Sequence, residues 1–113
     1  MDLELKDKVA IVSGASRGIG RSIALTLAAE GAKLCICARN EEGLKKAAAE
    51  MEAVGAEVEA VAVDVTTTEG AEALVAAARE RFGGVDILIN NVGGSVWTPF
   101  AEISDDERNH VIN

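Results

Sequence analysis

The sequence contains no tyrosine, one proline, one tryptophan and two phenylalanines among its 113 residues. With so few aromatic side chains, a buried core has to be built from Ala, Val, Ile and Leu. Hydrophobic types make up 49% of the chain, which is enough for a folded domain and unlike the composition of disordered segments. The length fits one domain rather than two.

Positive charge is also scarce, because the chain has 11 basic and 19 acidic residues, which gives a formal net charge of −8. Such a balance repels phosphate backbones and anionic membrane surfaces. Charged residues interrupt the N-terminal segment 1–8, and no run approaches the roughly 18 apolar residues of a membrane span. We therefore expect a cytoplasmic protein with neither nucleic acid nor membrane as a partner.

Cysteine occurs only at Cys35 and Cys37. Residues two apart in a strand share a face and are poorly placed to form a disulfide with one another. Two thiols alone do not complete a metal site. We expect both to be buried free thiols, and we expect no metal.

Short apolar runs alternate with stripes of helical period along the chain. The runs predict strands at residues 9–12, 33–38, 58–63 and 86–90. Helices are predicted between them, the first ending at Gly31, the second capped by Asn40 and ending at Gly55, and the third ending at Gly83.

Two capping boxes complete this pattern. Thr66 with Glu69 predicts the start of the third helix, and Ser104 with Glu107 predicts the start of a fourth. No stop signal precedes Asn113, so we expect the chain to be truncated within that last helix.

Strands that alternate with crossover helices indicate an α/β fold with a parallel sheet. The expected architecture is a partial Rossmann-type doubly wound sheet with strand order 3-2-1-4. Residues 1–113 would form the N-terminal half of a dinucleotide-binding domain. Ligands bind such sheets where the strand order reverses, which places the expected site at the loops 13–20 and 90–94.

The first of these loops carries Gly14, Gly18 and Gly20 in a G-x-x-x-G-x-G spacing. Glycines there allow a tight turn and close approach of a pyrophosphate to the unpaired N–H groups of a helix N-terminus. A glycine cluster alone is equally consistent with a simple strand-to-helix turn. The flanking strand, the helix and the second glycine loop favour the dinucleotide interpretation.

The end of the second predicted strand reads Ala38-Arg39-Asn40, where many dinucleotide folds carry an acid for the ribose 2′-hydroxyl. Arg39, together with Arg17 in the glycine loop, offers guanidinium groups suited to a 2′-phosphate. We therefore predict NADP(H), with NAD(H) as the less favoured cofactor. Two alternatives stay open: both arginines are solvated, or Glu41 or Glu42 approaches the ribose.

These motifs together resemble the first half of the classical short-chain dehydrogenase/reductase family, over nearly the whole chain. The glycine motif is similar to the family's cofactor motif, with Ser13 where Thr is more usual. Asp64 and Val65 resemble the pair that contacts adenine, and the stretch 90–93 resembles the family's Asn-Asn-Ala-Gly, with Val92 in place of Ala.

The resemblance implies a set of cofactor contacts, with Asn113 at the position of a helix asparagine that helps to hold a water in the proton relay of family members. The implied cofactor-binding residues are Gly14, Ala15, Ser16, Arg17, Gly18, Ile19, Gly20, Arg39, Asn40, Asp64, Val65, Asn91, Val92 and Gly93.

The resemblance also implies the activity, which is hydride transfer between a nicotinamide cofactor and a small-molecule carbonyl/alcohol pair. Family members use a Tyr as general acid/base, a Lys four residues later and a Ser, and this tyrosine-free chain does not contain that segment. We expect the chain to be the cofactor-binding half of an enzyme that is a homo-oligomer at full length. Two alternatives are a non-catalytic dinucleotide-sensing or scaffold module and, less favoured, a methyltransferase-like nucleoside binder.

Overall fold

The computed structural model describes residues 5–16, residues 18–91 and the backbone of residues 111–112. This part of the chain contains five strands and three helices, which alternate from β1 to β4. The strands are β1 (Val9–Ser13), β2 (Lys33–Ala38), β3 (Val58–Ala62), β4 (Ile87–Ile89) and β5 (Val111–Ile112). The helices are α1 (Gly18–Ala29), α2 (Glu41–Ala53) and α3 (Thr68–Phe82).

The strands form one sheet in the order β3-β2-β1-β4-β5, and the paired strands are parallel. The predicted order 3-2-1-4 is therefore confirmed. Successive strands run outward from β1 to β3, and the chain then crosses to the other side of β1, where β4 pairs. The carboxyl ends of β1 and β4 thus flank the point at which the strand order reverses.

The sheet is covered on both faces, because alternate residues of its strands enter different apolar clusters. Ala10 and Val12 of β1 pack with α1 and α2 on one face. Val9 and Ile11 pack with α3 on the other face. A strand buried on both sides has no polar alternation, which is why β1 reads as an uninterrupted aliphatic run.

Most predicted helix ends are confirmed, and one is displaced by a residue. Asn40 is the N-cap of α2, and Gly83 ends α3 in the left-handed conformation that favours glycine. The N-cap of α3 is Thr67, whose hydroxyl accepts from Gly70 N, so the prediction that Thr66 caps this helix is wrong. Thr66 instead donates to the carboxylate of Asp64.

The prediction of a helix running through Asn113 is wrong at Val111–Ile112. These two residues form β5, which pairs in parallel with Leu88 and Ile89 of β4. The outer edge of β4 offers unpaired N–H and C=O groups, and β-branched residues favour strand over helix. The predicted capping box at Ser104 and Glu107 lies outside the described residues.

Cys35 and Cys37 are buried free thiols, as predicted. Burial raises the pKa of each to about 12, so both stay protonated at neutral pH. Within the described part of the chain, none of the helices has the length and apolar character that a membrane span requires.

Candidate functional site

The loop between β1 and α1 turns through two glycines of positive φ, Gly14 (63°) and Gly18 (64°). Between them, Ala15 is buried, and its N–H donates to the carbonyl oxygen of Cys37 at 3.1 Å, which ties the loop to β2. The first turn of α1 carries no acidic residue. The partial positive charge of the helix N-terminus is therefore left for an anionic group.

Gly20 packs the first turn of α1 directly against the loop. A Cβ atom there would collide with the carbonyl group of Gly14 and would lie 2.7 Å from Nδ2 of Asn91. Only a residue without a side chain permits this approach, so the third glycine of the motif serves packing between helix and loop.

Ser13 links the ends of β1 and β4. Its buried hydroxyl donates to Oδ1 of Asn90 at 2.9 Å and accepts from the N–H of Asn91 at 2.9 Å. These bonds hold the first residues after β4 beside the glycine loop. The loops that follow β1 and β4 are thereby brought together, as expected for the point where the strand order reverses.

The end of β2 presents an exposed cation. Arg39 follows the last residue of β2 and makes no ion pair within the described part of the chain. The next residue, Asn40, accepts from Gly43 N at 3.0 Å and so starts α2 at the same edge of the sheet. Glu41 pairs with Lys45 one turn along α2, at 3.2 Å.

The end of β3 presents a fixed carboxylate. Oδ1 of Asp64 accepts from Thr66 N at 2.9 Å and from Thr66 Oγ1 at 2.5 Å. These two hydrogen bonds, with a smaller contribution from the charge of Arg39, hold the pKa of Asp64 below its ordinary value. Asp64 is therefore an anion and a hydrogen-bond acceptor at neutral pH.

These four strand ends and the start of α1 line one cleft of about 700 Å³. Ile19 stands at the cleft with 71% of its surface exposed, which is unusual for a large apolar side chain at the start of a helix. The described residues that line the cleft are Gly14, Ser16, Gly18, Ile19, Cys37, Ala38, Arg39, Asn40, Gly43, Val63, Asp64, Val65 and Asn91.

Most of the predicted cofactor contacts within the described residues line this cleft, and two do not. Ala15 is a buried residue of the loop, and Gly20 is buried against Gly14 and Asn91. Neither Glu41 nor Glu42 lines the cleft. The predicted site residues Arg17, Val92, Gly93 and Asn113 lie outside the described residues.

Four cleft residues were not predicted from the sequence, namely Cys37, Ala38, Gly43 and Val63. Cys37, Ala38 and Val63 adjoin predicted positions at the ends of β2 and β3, and that adjacency is the signal that could have found them. Gly43 lies inside α2 and gave no such signal. Within the described ranges, no group of three or more His, Cys, Asp or Glu residues could hold a metal ion.

A family model described as short chain dehydrogenase matches residues 8–113. The chain belongs to this family. Within the short chain dehydrogenases, 1,6-dihydroxycyclohexa-2,4-diene-1-carboxylate dehydrogenase from Acinetobacter baylyi is 46% identical over 101 residues, which is 88% of this chain and 38% of that protein.

Solved structures of short chain dehydrogenases share the fold. L-sorbose reductase from Gluconobacter frateurii, complexed with NADPH and L-sorbose, is 42% identical with a TM-score of 0.80, covering 95% of this chain and 41% of that one. A short chain dehydrogenase/reductase from Burkholderia phymatum in complex with NAD is 38% identical with a TM-score of 0.74, covering 77% of this chain and 31% of that one. The chain thus spans about two fifths or less of the length of these relatives.

Proposed function

We propose that this chain is the NADP(H)-binding half of an oxidoreductase that interconverts a carbonyl and an alcohol by hydride transfer. The observation that carries the proposal is the convergence of three features in one cleft. These are the acid-free start of α1, the exposed Arg39 and the fixed carboxylate of Asp64. Each suits a different part of a dinucleotide.

The pyrophosphate is assigned to the glycine loop. Gly14 and Gly18 have no Cβ to keep an anion from the backbone, and the N–H groups of the first turn of α1 have no partner within their helix. Ile19 would lose exposed apolar surface to a bound ligand. Tight packing at Gly20 holds the start of α1 against the backbone of Gly14.

The adenosine end is assigned to the ends of β2 and β3. The ionised carboxylate of Asp64, which accepts but does not donate, suits the 6-amino group of adenine, and Val63 and Val65 flank it. Arg39 and Asn40, with Arg17 and Ser16 of the loop, would hold a 2′-phosphate. Asn91, Val92 and Gly93 complete the proposed cofactor contacts.

NADP(H) is favoured over NAD(H) by the charges at the end of β2. Ala38 and Arg39 stand where a ribose-binding acid would be needed, and Glu41 is paired with Lys45. L-sorbose reductase from Gluconobacter frateurii was solved with NADPH, whereas the Burkholderia phymatum protein was solved with NAD. The family therefore accommodates both cofactors, and the preference rests on this chain's own residues.

When bound, NADP(H) would supply or accept the hydride. The residues of this chain would bind and orient it, and Asn113 is proposed to help hold a water of the proton relay. The chain contains no tyrosine, so a tyrosine general acid/base would have to come from outside it. We further propose a small-molecule substrate, a cytoplasmic location and a homo-oligomer for the full-length protein.

Calorimetric titration with NADP⁺ and with NAD⁺ tests the cofactor assignment. Arg39→Ala is expected to weaken NADP⁺ binding about 10- to 100-fold, because it removes a charge-assisted contact to phosphate, and to change NAD⁺ binding by no more than about 3-fold. Lys46→Ala, which removes an exposed cation of α2 that does not line the cleft, is the matched control. Equal losses for both cofactors would exclude a 2′-phosphate role for Arg39.

A further inference from the structure

We propose that Thr66 is a positioning residue for adenine recognition, in that its two donors fix one oxygen of the Asp64 carboxylate and leave the other for the 6-amino group of the base. The proposal rests on the function proposed above and adds to it a residue that does not line the cleft.

The carboxylate of Asp64 is held at a single atom. The N–H and the hydroxyl of Thr66 both donate to Oδ1, at 2.9 and 2.5 Å. The terminal torsion of a free aspartate is broad, so an unrestrained carboxylate would sample many orientations at the cleft surface. With Oδ1 occupied twice, Oδ2 is the oxygen that remains for a ligand, since no described residue donates to it.

The backbone of Asp64 is held by different groups. Its carbonyl oxygen accepts from the N–H of Thr67 at 3.2 Å and from the hydroxyl of Thr67 at 2.9 Å. Gly70 lies against this carbonyl so closely that a Cβ atom there would collide with it. The turn into α3 therefore depends on Thr67 and Gly70, and not on the hydroxyl of Thr66.

Thr66 has no other evident structural role. Its side chain is exposed, it is not the N-cap of α3, and it belongs to neither apolar cluster. A substitution that removes only its hydroxyl leaves the cap and the core intact. Any effect on ligand selection would therefore come through the Asp64 carboxylate.

The chemistry of the base supplies a specific readout. Adenine presents an amino group that donates to a carboxylate, whereas the hypoxanthine of deamino-NADP⁺ presents a carbonyl oxygen that an ionised carboxylate repels. The ratio of the affinities for NADP⁺ and deamino-NADP⁺ therefore measures how strongly the Asp64 carboxylate discriminates between the two bases. Contacts to phosphate and ribose are common to both ligands and cancel in this ratio.

The experiment compares NADP⁺ and deamino-NADP⁺ binding to the full chain and to Thr66→Val, which replaces the hydroxyl by a methyl group of similar size. The preference for NADP⁺ is expected to fall about 3- to 10-fold in Thr66→Val, the effect of losing one ordinary hydrogen bond, because the N–H of residue 66 still donates to Asp64. Thr66→Ser, which keeps the hydroxyl, is expected to retain the preference. The thermal unfolding midpoint of Thr66→Ser should match that of the parent chain, and that of Thr66→Val should fall only slightly, because the hydrogen bond that it loses is exposed.

Asp64→Asn is the positive control. Because the amide of Asn can donate to the hypoxanthine oxygen, this variant should have a smaller preference for NADP⁺ over deamino-NADP⁺ than Thr66→Val has. An unchanged preference in Thr66→Val, or a parent chain that binds both ligands equally, would overturn the role of Thr66 while leaving dinucleotide binding in place. A parent chain that binds neither ligand would overturn the proposed function itself.

Discussion

Gly20 is the residue at which the geometry of the site is most demanding. It lies in the first turn of α1, and a single Cβ atom added there would meet both the backbone of Gly14 and the side chain of Asn91. The backbone of the loop cannot move aside as a flexible side chain would. Three of the segments that build the cleft, namely the start of α1 and the loops after β1 and β4, therefore meet at a position where even one methyl group does not fit.

Gly20→Ala is accordingly expected to destabilise the chain by about 1–3 kcal/mol, the usual cost of inserting an extra methyl group into a closely packed position. It should also weaken NADP⁺ binding, because the loop has to shift to relieve the collision. Denaturant unfolding and calorimetric titration measure the two effects. Gly84→Ala is the matched control, since a Cβ atom there would have nothing within 4 Å. Equal stability of the two variants would contradict the packing role of Gly20.

At the scale of single residues, the sequence predicted those site residues for which a motif defines both the residue type and its position along the chain. The glycine spacing and the cation after β2 are of this kind, and Gly14 and Arg39 line the cleft. Gly43 could not be predicted, because it enters the lining only when the start of α2 is placed beside Ser16. Ala15 matched the motif but is buried, because its N–H extends the hydrogen bonding between β1 and β2.

At the scale of elements, apolar runs and glycine stops predicted the strands and helices to within a few residues. The start of α3 was displaced, because 66–68 are all threonine and composition does not tell which hydroxyl meets the N–H three residues on. The segment at Val111–Ile112 was assigned to the wrong class, because pairing with β4 depends on an edge that is distant in sequence. The pattern of neighbouring residues in the sequence does not show which distant strand a segment can pair with.

Two helices on the same face of the sheet are joined by an ion pair with a defined pH dependence. Arg21 of α1 donates through Nε to Glu50 of α2 at 2.9 Å, and its Nη2 contacts the second carboxylate oxygen. The hydrogen bond and charge of Arg21 hold the pKa of Glu50 below its ordinary value. Such a group contributes stability above its unfolded pKa, and this contribution is lost as pH falls through the folded pKa.

Glu50→Gln is therefore expected to lower the free energy of unfolding modestly at pH 7, where the pair is intact but half exposed to solvent. The difference from the parent chain should shrink as the pH falls below the ordinary carboxylate range and should vanish once Glu50 is protonated in both states. Urea unfolding over a pH series measures this. Glu52→Gln, which removes an exposed charge from the same helix, is the control. A difference that persists in acid would indicate a packing effect instead.

At the scale of the whole molecule, the site exists because the chain crosses from one side of β1 to the other between β3 and β4. That crossing places residues more than 70 positions apart in hydrogen-bond contact at one end of the sheet. The sequence predicted this arrangement through the strand order, since parallel strands with right-handed crossovers leave few alternatives. It did not predict that a single hydroxyl, on Ser13, would join the two loops.

The coupling through Ser13 leads to a prediction about the molecule as a whole. Ser13→Ala removes a donor to Asn90 at a buried position and an acceptor for Asn91 N at a partly buried one. We expect the free energy of unfolding to fall by about 1–3 kcal/mol, as for other buried hydrogen bonds that lose one partner. Because Asn91 also lines the cleft, NADP⁺ affinity should fall together with the stability.

Ser22→Ala, at an exposed position of α1, removes a hydroxyl without this link and should be neutral or slightly stabilising. If the two variants unfold at the same denaturant concentration, the loops after β1 and β4 are held together by something other than this hydroxyl.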